Sequence, residues 1–422
     1  MTKLQTAKGV EDIPPEEKIL KNEVVRTLTE VFELFGFAPL ETPIIERYDT
    51  LAAKSAAGEE SDALREVFKL TDQGKRALAL RFDLTVPLAR YVAMNPTIKL
   101  PFKRYAIGRV FRDGPIKLGR TREFWQMDVD TVGTSSMLAD AEIVALTESV
   151  FKKLGLEVII KVNNRKLLNA ILEQAGISKG KEEAIISIDK LNKIGIEGVS
   201  TQLKERGYTK KQIEVLFSLI KEGITLASLE KKVDDKEGYE ELEKVFSYLK
   251  QMGVTSAVFD VSLARGLAYY TGTVFEVFLK QGKVKSSLAG GGRYDEMIGT
   301  FMGGGRVVPA MGISFGIVPI LETLKINKEL IRKTPTKLYV IPINSTMESL
   351  GIVQELRNSG VSTDLAIKKG VSKNLQYADA LGIPYVAIVG ENELKQGKLL
   401  LRNMQDGSEQ LLAIKTVIQK LK

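Results

Sequence analysis

One segment of the chain, residues 111–126, combines charged and aromatic residues in a pattern that could bind a ligand. Arg112 stands near its start. Gln126, Asp128 and Asp130 occupy alternate positions at its end and just beyond it. Side chains two positions apart lie on the same face of a strand, so these three polar groups would share a face. One interpretation is an arginine that clamps an anion while the carboxylates bind an amine. The other is a solvated hairpin whose charges pair with one another.

A second segment, 263–272, places one arginine beside a pair of tyrosines. Arg265 precedes Tyr269 and Tyr270, and Gly266 and Gly272 enclose the group. Glycine lets backbone approach a ligand closely, so a binding loop with a cation in reach is one interpretation. A turn with two core tyrosines explains the same residues equally well.

A third segment is rich in glycine. Gly290, Gly291 and Gly292 precede Arg293-Tyr294-Asp295, and a second glycine run follows at 303–305. Neither run is a P-loop, because no Gly-Lys-Ser/Thr follows at the required spacing. For the second run we favour a bend or a mobile loop without a ligand.

Composition restricts the chemistry that these segments could perform. The 422 residues include neither cysteine nor histidine. This excludes disulfides, thiolate nucleophiles, triads built on histidine and the HExxH zinc sites. Any catalysis must therefore use carboxylates, arginine, lysine, tyrosine or a bound metal.

The chain carries a modest basic excess, with a net charge of +8 and a pI of about 9.2. That charge is compatible with a polyanionic partner such as RNA and is insufficient to establish one. Its first residues have no apolar leader, and no run of about 18 apolar residues occurs. We therefore expect a soluble, cytoplasmic protein with no membrane association.

The elements that position these segments are predicted from hydrophobic spacing and from turn residues. Two prolines and two glutamates start a helix over about Pro15–Phe35, and a second helix is expected over 137–154. Strands are predicted at 78–82, 105–111, 122–129, 254–261 and 273–279. Between about 165 and 250 the composition changes to lysine, glutamate, leucine and isoleucine at helical spacing, which indicates a helical insertion.

The last part of the chain has a different pattern. A charged stretch with a proline, 326–336, is interpreted as a linker. From 337 to 422 strands and helices alternate, which indicates a small α/β domain with a mixed or parallel sheet. The predicted domains are thus 1–325, with the insertion at about 165–250, and 337–422.

Considered together, the segments 80–87, 111–126, 265–272 and 290–295 resemble histidyl-tRNA synthetases, in that family's order. The most specific element is Arg-Gly-Leu-x-Tyr-Tyr-Thr-Gly coupled to Gly-Gly-Arg-Tyr-Asp. The first helix and the strand after it resemble the dimer-forming motif of class II synthetases, and the tail from about 335 resembles their anticodon-binding domain.

The resemblance implies a fold and an activity. The expected fold is an α+β class II catalytic domain with an antiparallel sheet and a helical insertion, followed by an α/β anticodon-binding domain. The expected reaction is ATP-dependent activation of L-histidine and its transfer to tRNA(His), with Mg²⁺ accompanying ATP. A homodimer is implied by resemblance only.

The resemblance also implies residue roles. The histidine-binding residues would be Asp83, Thr85, Arg112, Gln126, Asp130, Arg265, Tyr269 and Tyr270. Arg112 and Arg265 would also be the catalytic residues, one on each side of the ATP α-phosphate. Lys117 and Arg120 would contact the acceptor end of the tRNA, and the metal ligands stay open.

Two departures from the family pattern bear on activity. The third class II motif usually ends in Gly-x-Glu-Arg, whereas Val318 and Pro319 occupy the last two positions here, and Arg306 is a candidate substitute cation. Ala268 stands where the family often has an acid. The missing arginine favours a rival interpretation, the histidine-sensing regulatory subunit of ATP phosphoribosyltransferase. The two retained arginines and the C-terminal domain oppose it. A synthetase for proline, threonine or glycine would lack the Tyr-Tyr-Thr-Gly element.

Overall fold

The computed structural model describes residues 4–52, 62–116, 121–221, 223–264, 269–326 and 332–422. The chain divides into two compact units. The larger comprises 1–12 and 24–324, and the smaller comprises 13–23 and 325–422. The domain limits expected at 325 and 336 stay a prediction.

The described strands form three sheets, of eight, five and three strands. In chain order the strands are β1 (Ala38–Pro39), β2 (Ile45–Arg47), β3 (Lys69–Thr71), β4 (Ala77–Leu80), β5 (Phe102–Phe111), β6 (Glu123–Val132), β7 (Val158–Asn164), β8 (Ala257–Phe259), β9 (Thr273–Leu279), β10 (Ala289–Arg293), β11 (Ala310–Gly316), β12 (Leu338–Pro342), β13 (Thr363–Leu365), β14 (Tyr385–Val389), β15 (Lys398–Asn403) and β16 (Glu409–Ala413).

The eight-stranded sheet has the order β1-β5-β6-β11-β10-β9-β7-β8. Its central strands are antiparallel, and only the two end pairs, β1 with β5 and β7 with β8, are parallel. The hairpin expected from the basic segment is confirmed: β5 and β6 pair from Phe102 opposite Val132 to Phe111 opposite Glu123. The small sheet β2-β4-β3 completes the larger unit.

Helices cover one face of the large sheet. Phe315 of β11 packs against Phe151 of the helix Met137–Lys153, with ring centroids 6.0 Å apart, and against Phe32 of the first helix at 5.5 Å. Because side chains alternate along a strand, Gly312 and Ser314 of β11 face the other way. The opposite face of the sheet is therefore left for polar groups.

The helical stretch predicted after β7 is present. The helices that lie wholly or mostly in the larger unit are Pro15–Leu34, Tyr48–Leu51, Asp62–Arg65, Thr85–Met94, Met137–Lys153, Arg165–Gln174, Lys181–Ile188, Leu191–Glu205, Lys210–Ile220, Leu226–Leu229, Glu237–Gln251, Met297–Met302 and Ile317–Lys325. Six of these fall between 165 and 251, where the composition indicates an insertion.

The smaller unit contains the mixed sheet expected for the end of the chain, in the order β13-β12-β14-β15-β16. Its central strand β12 runs parallel to β13 and β14. Alternate residues of β12 enter two apolar clusters, Leu338 and Val340 on one face and Tyr339 and Ile341 on the other. The helices of this part of the chain are Thr346–Asn358, Val371–Ala380, Glu391–Lys395 and Ile414–Leu421.

Several elements were not anticipated from the sequence, among them the central strand β11, strands β7 and β16, and the helix Thr85–Met94. The region 78–132 was expected to be dominated by strands, yet Thr85–Met94 is a helix. It is short and its core-facing residues include Val86, Pro87 and Leu88, so its hydrophobic spacing does not separate helix from strand. Strand β16 is almost entirely exposed and shows little alternation.

Candidate active site

A row of polar side chains crosses the open face of the large sheet on β6. Gln126, Asp128 and Asp130 lie on one face, as their spacing predicts, with β5 and β11 on either side. Asp130 is paired with Arg104 and Gly312, and Asp128 with Ala106 and Ser314. The strand pairing therefore fixes the positions of these three side chains relative to β5 and β11.

Asp130 and Arg104 form a buried ion pair. Their side chains are 2% and 1% exposed, and Nη2 of Arg104 lies 2.8 Å from Oδ2 of Asp130. The Tyr294 hydroxyl donates a hydrogen bond to the other carboxylate oxygen. Burial raises the pKa of Asp130, and Arg104 and Tyr294 oppose that rise. The structure thus holds this carboxylate with two partners in a nearly dry environment.

Asp128 is also buried and lies between the two other members of the row. Burial raises the pKa of Asp128 to about 7; Arg104 opposes the rise and Asp130 adds to it. Ser314 hydrogen bonds Asp128 and accepts a hydrogen bond from Nε2 of Gln126 at 2.8 Å. Ser314 therefore links Gln126 and Asp128 into one network.

A third carboxylate lies beside the row at the start of a helix. Asp83 accepts a hydrogen bond from the backbone N–H of Val86 at 3.1 Å, in the first turn of Thr85–Met94. Burial raises the pKa of Asp83 to about 6, opposed by that hydrogen bond and by the charges of Arg112 and Arg104. Asp83 thus belongs to the same electrostatic cluster as the residues of β6.

Arg112 is held at the end of the β5–β6 hairpin. Its Nε donates to the carbonyl of Phe82 at 3.2 Å, and its guanidinium lies over the ring of Phe124, 5.2 Å from the centroid. One donor and one face of the guanidinium are thus used for positioning. Its two other guanidinium nitrogens have the planar arrangement that binds an anion.

Part of this cluster borders a narrow cavity of about 40 Å³. That volume holds about three water molecules, so its scale is that of a small polar group and not of a nucleotide. The lining residues are Thr85, Asp128, Asp130, Tyr269, Tyr270, Gly290, Gly291, Gly292, Tyr294, Gly312, Ile313 and Ser314.

The glycines of β10 and β11 are required for this geometry. A Cβ at Gly312 would lie 2.0 Å from Oδ1 of Asp130, and one at Gly292 would lie 2.7 Å from the ring of Tyr270. Both distances are too short for atoms that do not bond. The glycine-rich segment therefore makes room for the polar row and for the tyrosines.

The residues after the glycine run have separate roles. Arg293 is buried against Asp140, with which it forms an ion pair, and it also donates to the carbonyls of Thr134 and Ser136. Asp295 accepts from the backbone N–H of Ala310. Arg293 and Asp295 thus anchor β10, while Tyr294 between them reaches Asp130.

A larger cavity of about 660 Å³ lies elsewhere in the same unit, beside β7 and β8. Its charged groups pair with one another: Lys152 lies 3.1 Å from Glu148, and Lys280 lies 3.8 Å from Glu157. It has no aromatic lining and no buried acidic row, so the smaller cavity is the better candidate.

The structure brings most of the predicted site residues together. Thr85, Asp130, Tyr269 and Tyr270 line the cavity. Asp83, Gln126 and Arg112 do not line it and are tied to it by hydrogen bonds or charge. Arg265, Lys117 and Arg120 lie outside the described residues.

Three residues of the site, Arg104, Tyr294 and Ser314, were not predicted as such, and Asp128 was placed in the polar row but was not among the histidine-binding residues that the resemblance implies. The alternation along β6 placed Asp128 on the right face, and the glycine-rich motif contained Tyr294. Arg104 carried no signal, because a charged residue in a strand is more often solvated than buried.

The first departure from the family pattern, Val318 and Pro319, lies in the first turn of the helix Ile317–Lys325. Proline is tolerated there, so the replacement is compatible with the helix. The second departure, Ala268, lies outside the described residues. Arg306 is exposed. Its proposed role as a substitute cation stays a prediction.

The fold and the site together define a class. An antiparallel sheet with parallel edge pairs, a buried acidic row and an arginine at the hairpin end form the catalytic domain of a class II aminoacyl-tRNA synthetase. A solved histidyl-tRNA synthetase from Nostoc sp. PCC 7120 has the same fold with a TM-score of 0.88 at 30% identity, covering 100% of this chain and 99% of the other.

Sequence comparisons narrow the class to a family. Residues 9–320 match the family model for histidyl-tRNA synthetase, and 337–422 match an anticodon binding domain. A histidine–tRNA ligase 1 from Bacillus cereus is 44% identical over 96% of this chain and 94% of its own length. A histidine–tRNA ligase 2 from Shouchella clausii is 42% identical over 96% and 97%. The chain belongs to the histidyl-tRNA synthetase family.

Within the part of the chain that the structure describes, no helix is both long enough and apolar enough to cross a membrane.

Proposed function

We propose that this chain activates L-histidine with ATP to histidyl-adenylate and transfers the histidyl group to the 3′ end of tRNA(His). Family membership supports the ligase reaction, with ATP as a substrate. The observation that supports the choice of residues is the buried row Gln126, Asp128 and Asp130 beside the two tyrosines. It offers several acceptors to a small ligand rich in N–H groups, which histidine is.

The charge balance of the site supports a cationic ligand. Among the described groups of the cluster, Asp83, Asp128 and Asp130 oppose only Arg104 and Arg112. When all five are ionised the cluster is negative, and burial strengthens its attraction for an ammonium group. In this proposal Asp83, Thr85, Gln126 and Asp130 hold the amino acid, while Tyr269 and Tyr270 line the imidazole side.

Arg112 is the proposed catalytic cation on one side of the α-phosphate, with Arg265 on the other. The histidine carboxylate attacks the α-phosphorus and pyrophosphate leaves, so negative charge builds on the α-phosphate oxygens. A guanidinium that Phe82 and Phe124 already hold stabilises that charge without reorganising. The 3′-terminal ribose hydroxyl of the tRNA then attacks the adenylate, and no enzyme nucleophile is needed.

Mg²⁺ is proposed as a companion of ATP. In the described ranges no group of three or more acidic side chains is arranged to hold a metal ion. The described side chains therefore fit a Mg²⁺ ion bound by the phosphates of ATP better than one bound by the protein alone. When bound, it supplies charge neutralisation at the pyrophosphate leaving group.

The other partners follow from the family and are proposals. Residues 337–422 would bind the anticodon, and Lys117 and Arg120 the acceptor end. A homodimer through the first helix and β1, and a cytoplasmic location, complete the proposal.

The regulatory-subunit interpretation has weaker support. A solved structure described as an ATP phosphoribosyltransferase regulatory subunit/histidyl-tRNA synthetase, from Bacillus halodurans, shares the fold at 24% identity and a TM-score of 0.75. The match of 337–422 to an anticodon binding domain favours the synthetase.

Pyrophosphate–ATP exchange with each of the twenty amino acids tests the proposal. We expect exchange with histidine alone, which would also show that Pro319 is compatible with turnover. Absence of exchange, with histidine binding still measured by calorimetry, would overturn the proposal in favour of a histidine sensor.

A further inference from the structure

The carboxylate of Asp128 has an oxygen without a partner. Asp128 is 3% exposed and lines the cavity. Ser314, opposite it on β11, hydrogen bonds the side chain, yet Oδ1 is buried and receives no hydrogen bond from any residue that the structure describes. A buried carboxylate oxygen without a donor costs on the order of 1–3 kcal/mol, so such an atom needs an explanation.

The nearest cation does not satisfy it. Arg104 lowers the pKa of Asp128 through its charge, but its Nη2 faces Asp130, 2.8 Å away, and donates to the carbonyl of Leu84 at 3.0 Å, while its Nε and Nη1 hydrogen bond none of the described residues. Asp130 has the Tyr294 hydroxyl as a further donor. One oxygen of Asp130 thus lies in an ion pair with Arg104 and the other accepts from Tyr294, whereas Oδ1 of Asp128 has neither kind of partner among the described residues.

The position of Asp128 in the row fits an amino acid lying along β6. Residues two apart on a strand are about 7 Å apart, and the row runs from Gln126, at the Arg112 end, to Asp130. A ligand whose carboxylate is near Arg112 and whose ring reaches Asp130 must pass Asp128.

We propose that Asp128 is a substrate-binding residue, whose free oxygen accepts a hydrogen bond from an N–H of bound histidine. This inference rests on the proposed function and adds a determinant of amino-acid specificity to the same site. The N–H belongs either to the ammonium group or to the imidazole ring. Arg104 is then a positioning residue that keeps the two carboxylates together.

Two substitutions measure the contact in pyrophosphate–ATP exchange. Asp128→Asn removes the charge and retains an acceptor, and Asp128→Ala removes both. A hydrogen bond to a charged group is worth about 1.5–3 kcal/mol, so we expect KM for histidine to rise about tenfold in the first variant and about a hundredfold in the second. KM for ATP and kcat should change less than about threefold.

Glu148→Gln is the matched control. Glu148 is equally buried, at 6% exposure, but it does not line the narrow cavity and instead accepts from the backbone of Thr255 and Ser256. Its KM for histidine should equal that of the unmodified protein. An unchanged KM in both Asp128 variants, with circular dichroism showing a folded protein, would overturn the proposal.

The pH dependence of the unmodified protein is a test that requires no variant. Among the described residues, the charged or titratable groups around Asp128 are Arg104 on β5, Asp130 on β6, Tyr294 just after β10, Tyr269 and Tyr270, and Asp83 and Arg112 beside the row. Histidine itself titrates in this range, so the probe is triazolylalanine, whose ring stays neutral. KM should rise as pH falls through about 7, where Asp128 gains a proton, and again near 6 with Asp83. Asp128→Asn should lose the upper step only, and a KM that is flat down to pH 6.5 would contradict the proposal.

Inhibition by imidazole-4-propionate, which lacks the ammonium group, identifies the donor. If the Asp128 variants weaken this inhibitor as much as they weaken histidine, the ring N–H is the donor. If its inhibition constant is unchanged, the ammonium is. Should the unmodified protein show no exchange with histidine, the proposed function fails first, and calorimetry of histidine binding to the same variants then decides the role of Asp128.

Discussion

The eight-stranded sheet buries charge near its centre, whereas the buried polar residues of the segment 332–422, which contains the five-stranded sheet, are neutral. In the larger unit Arg104, Asp128, Asp130, Asp140 and Arg293 are each at most 3% exposed. Between 332 and 422 the buried polar residues are Ser345, Ser349, Thr363 and Asn374.

Under the proposed function, the difference reflects two kinds of binding. A pocket for a small polar ligand must desolvate it, and the acceptors that replace water must themselves be buried and fixed. Such groups cost stability, which the apolar clusters elsewhere in the unit offset. A sheet that serves as a platform for a partner at its surface has no such requirement, so its interior is apolar.

The largest difference in exchange rate is expected between two arginine substitutions, one in each unit. Arg112→Ala should lower the rate of pyrophosphate–ATP exchange by about 10²–10³-fold, since it removes a cation from the transition state. Arg402→Ala on β15, which loses only an exposed ion pair with Glu409, should leave exchange within twofold. Equal losses in both variants would mean that the exchange assay reports general damage.

A matched pair of tyrosines gives a smaller difference. Tyr294→Phe removes the hydroxyl that donates to Asp130, and KM for histidine should rise about tenfold, because a buried carboxylate loses a donor. Tyr339→Phe removes a similar hydroxyl, which donates to Asn374 at 3.0 Å in the other unit. It should not change exchange. A higher KM for histidine in the Tyr339→Phe variant would contradict this difference between the two units.

The smallest effect concerns stability. The pKa of Asp128 is raised to about 7 from an ordinary value of 3.8, so the folded state binds this proton more tightly than the unfolded state. Its contribution therefore favours folding at low pH and is lost as pH rises from about 4 to about 7. Asp128→Asn should raise the unfolding midpoint by ~2 °C or more at pH 8, and by less at pH 5.

Unfolding can be followed by the fluorescence of Trp125, the single tryptophan of the sequence, which lies in β6. Glu148→Gln should change the stability at pH 8 in the opposite direction. Burial disfavours the ionised Glu148, but hydrogen bonds from Thr255, Ser256 and Lys152 outweigh it and lower the pKa of Glu148. That variant should therefore be less stable at pH 8, and a gain in both variants would contradict the account.

Part of the site was predictable from local spacing. Period-two alternation placed Gln126, Asp128 and Asp130 on one face, and the turn-rich segment before them indicated the hairpin. The helix Thr85–Met94 was not predictable, because ten residues with apolar positions on several faces fit either regular structure. Tertiary burial, not local preference, decided its form.

The sequence by itself determined the two-part organisation, the antiparallel hairpin, the chemistry left to a chain without histidine or cysteine, and the family resemblance. Only the tertiary structure decided that Arg104 pairs with Asp130, that Tyr294 reaches the same carboxylate, and that Asp128 keeps an oxygen for the cavity. Arg104 and Asp130 are 26 positions apart, and Tyr294 is 164 positions from Asp130. Such distant groups meet only when β5, β6, β11 and β10 assemble, and burial then sets the charge that each carries.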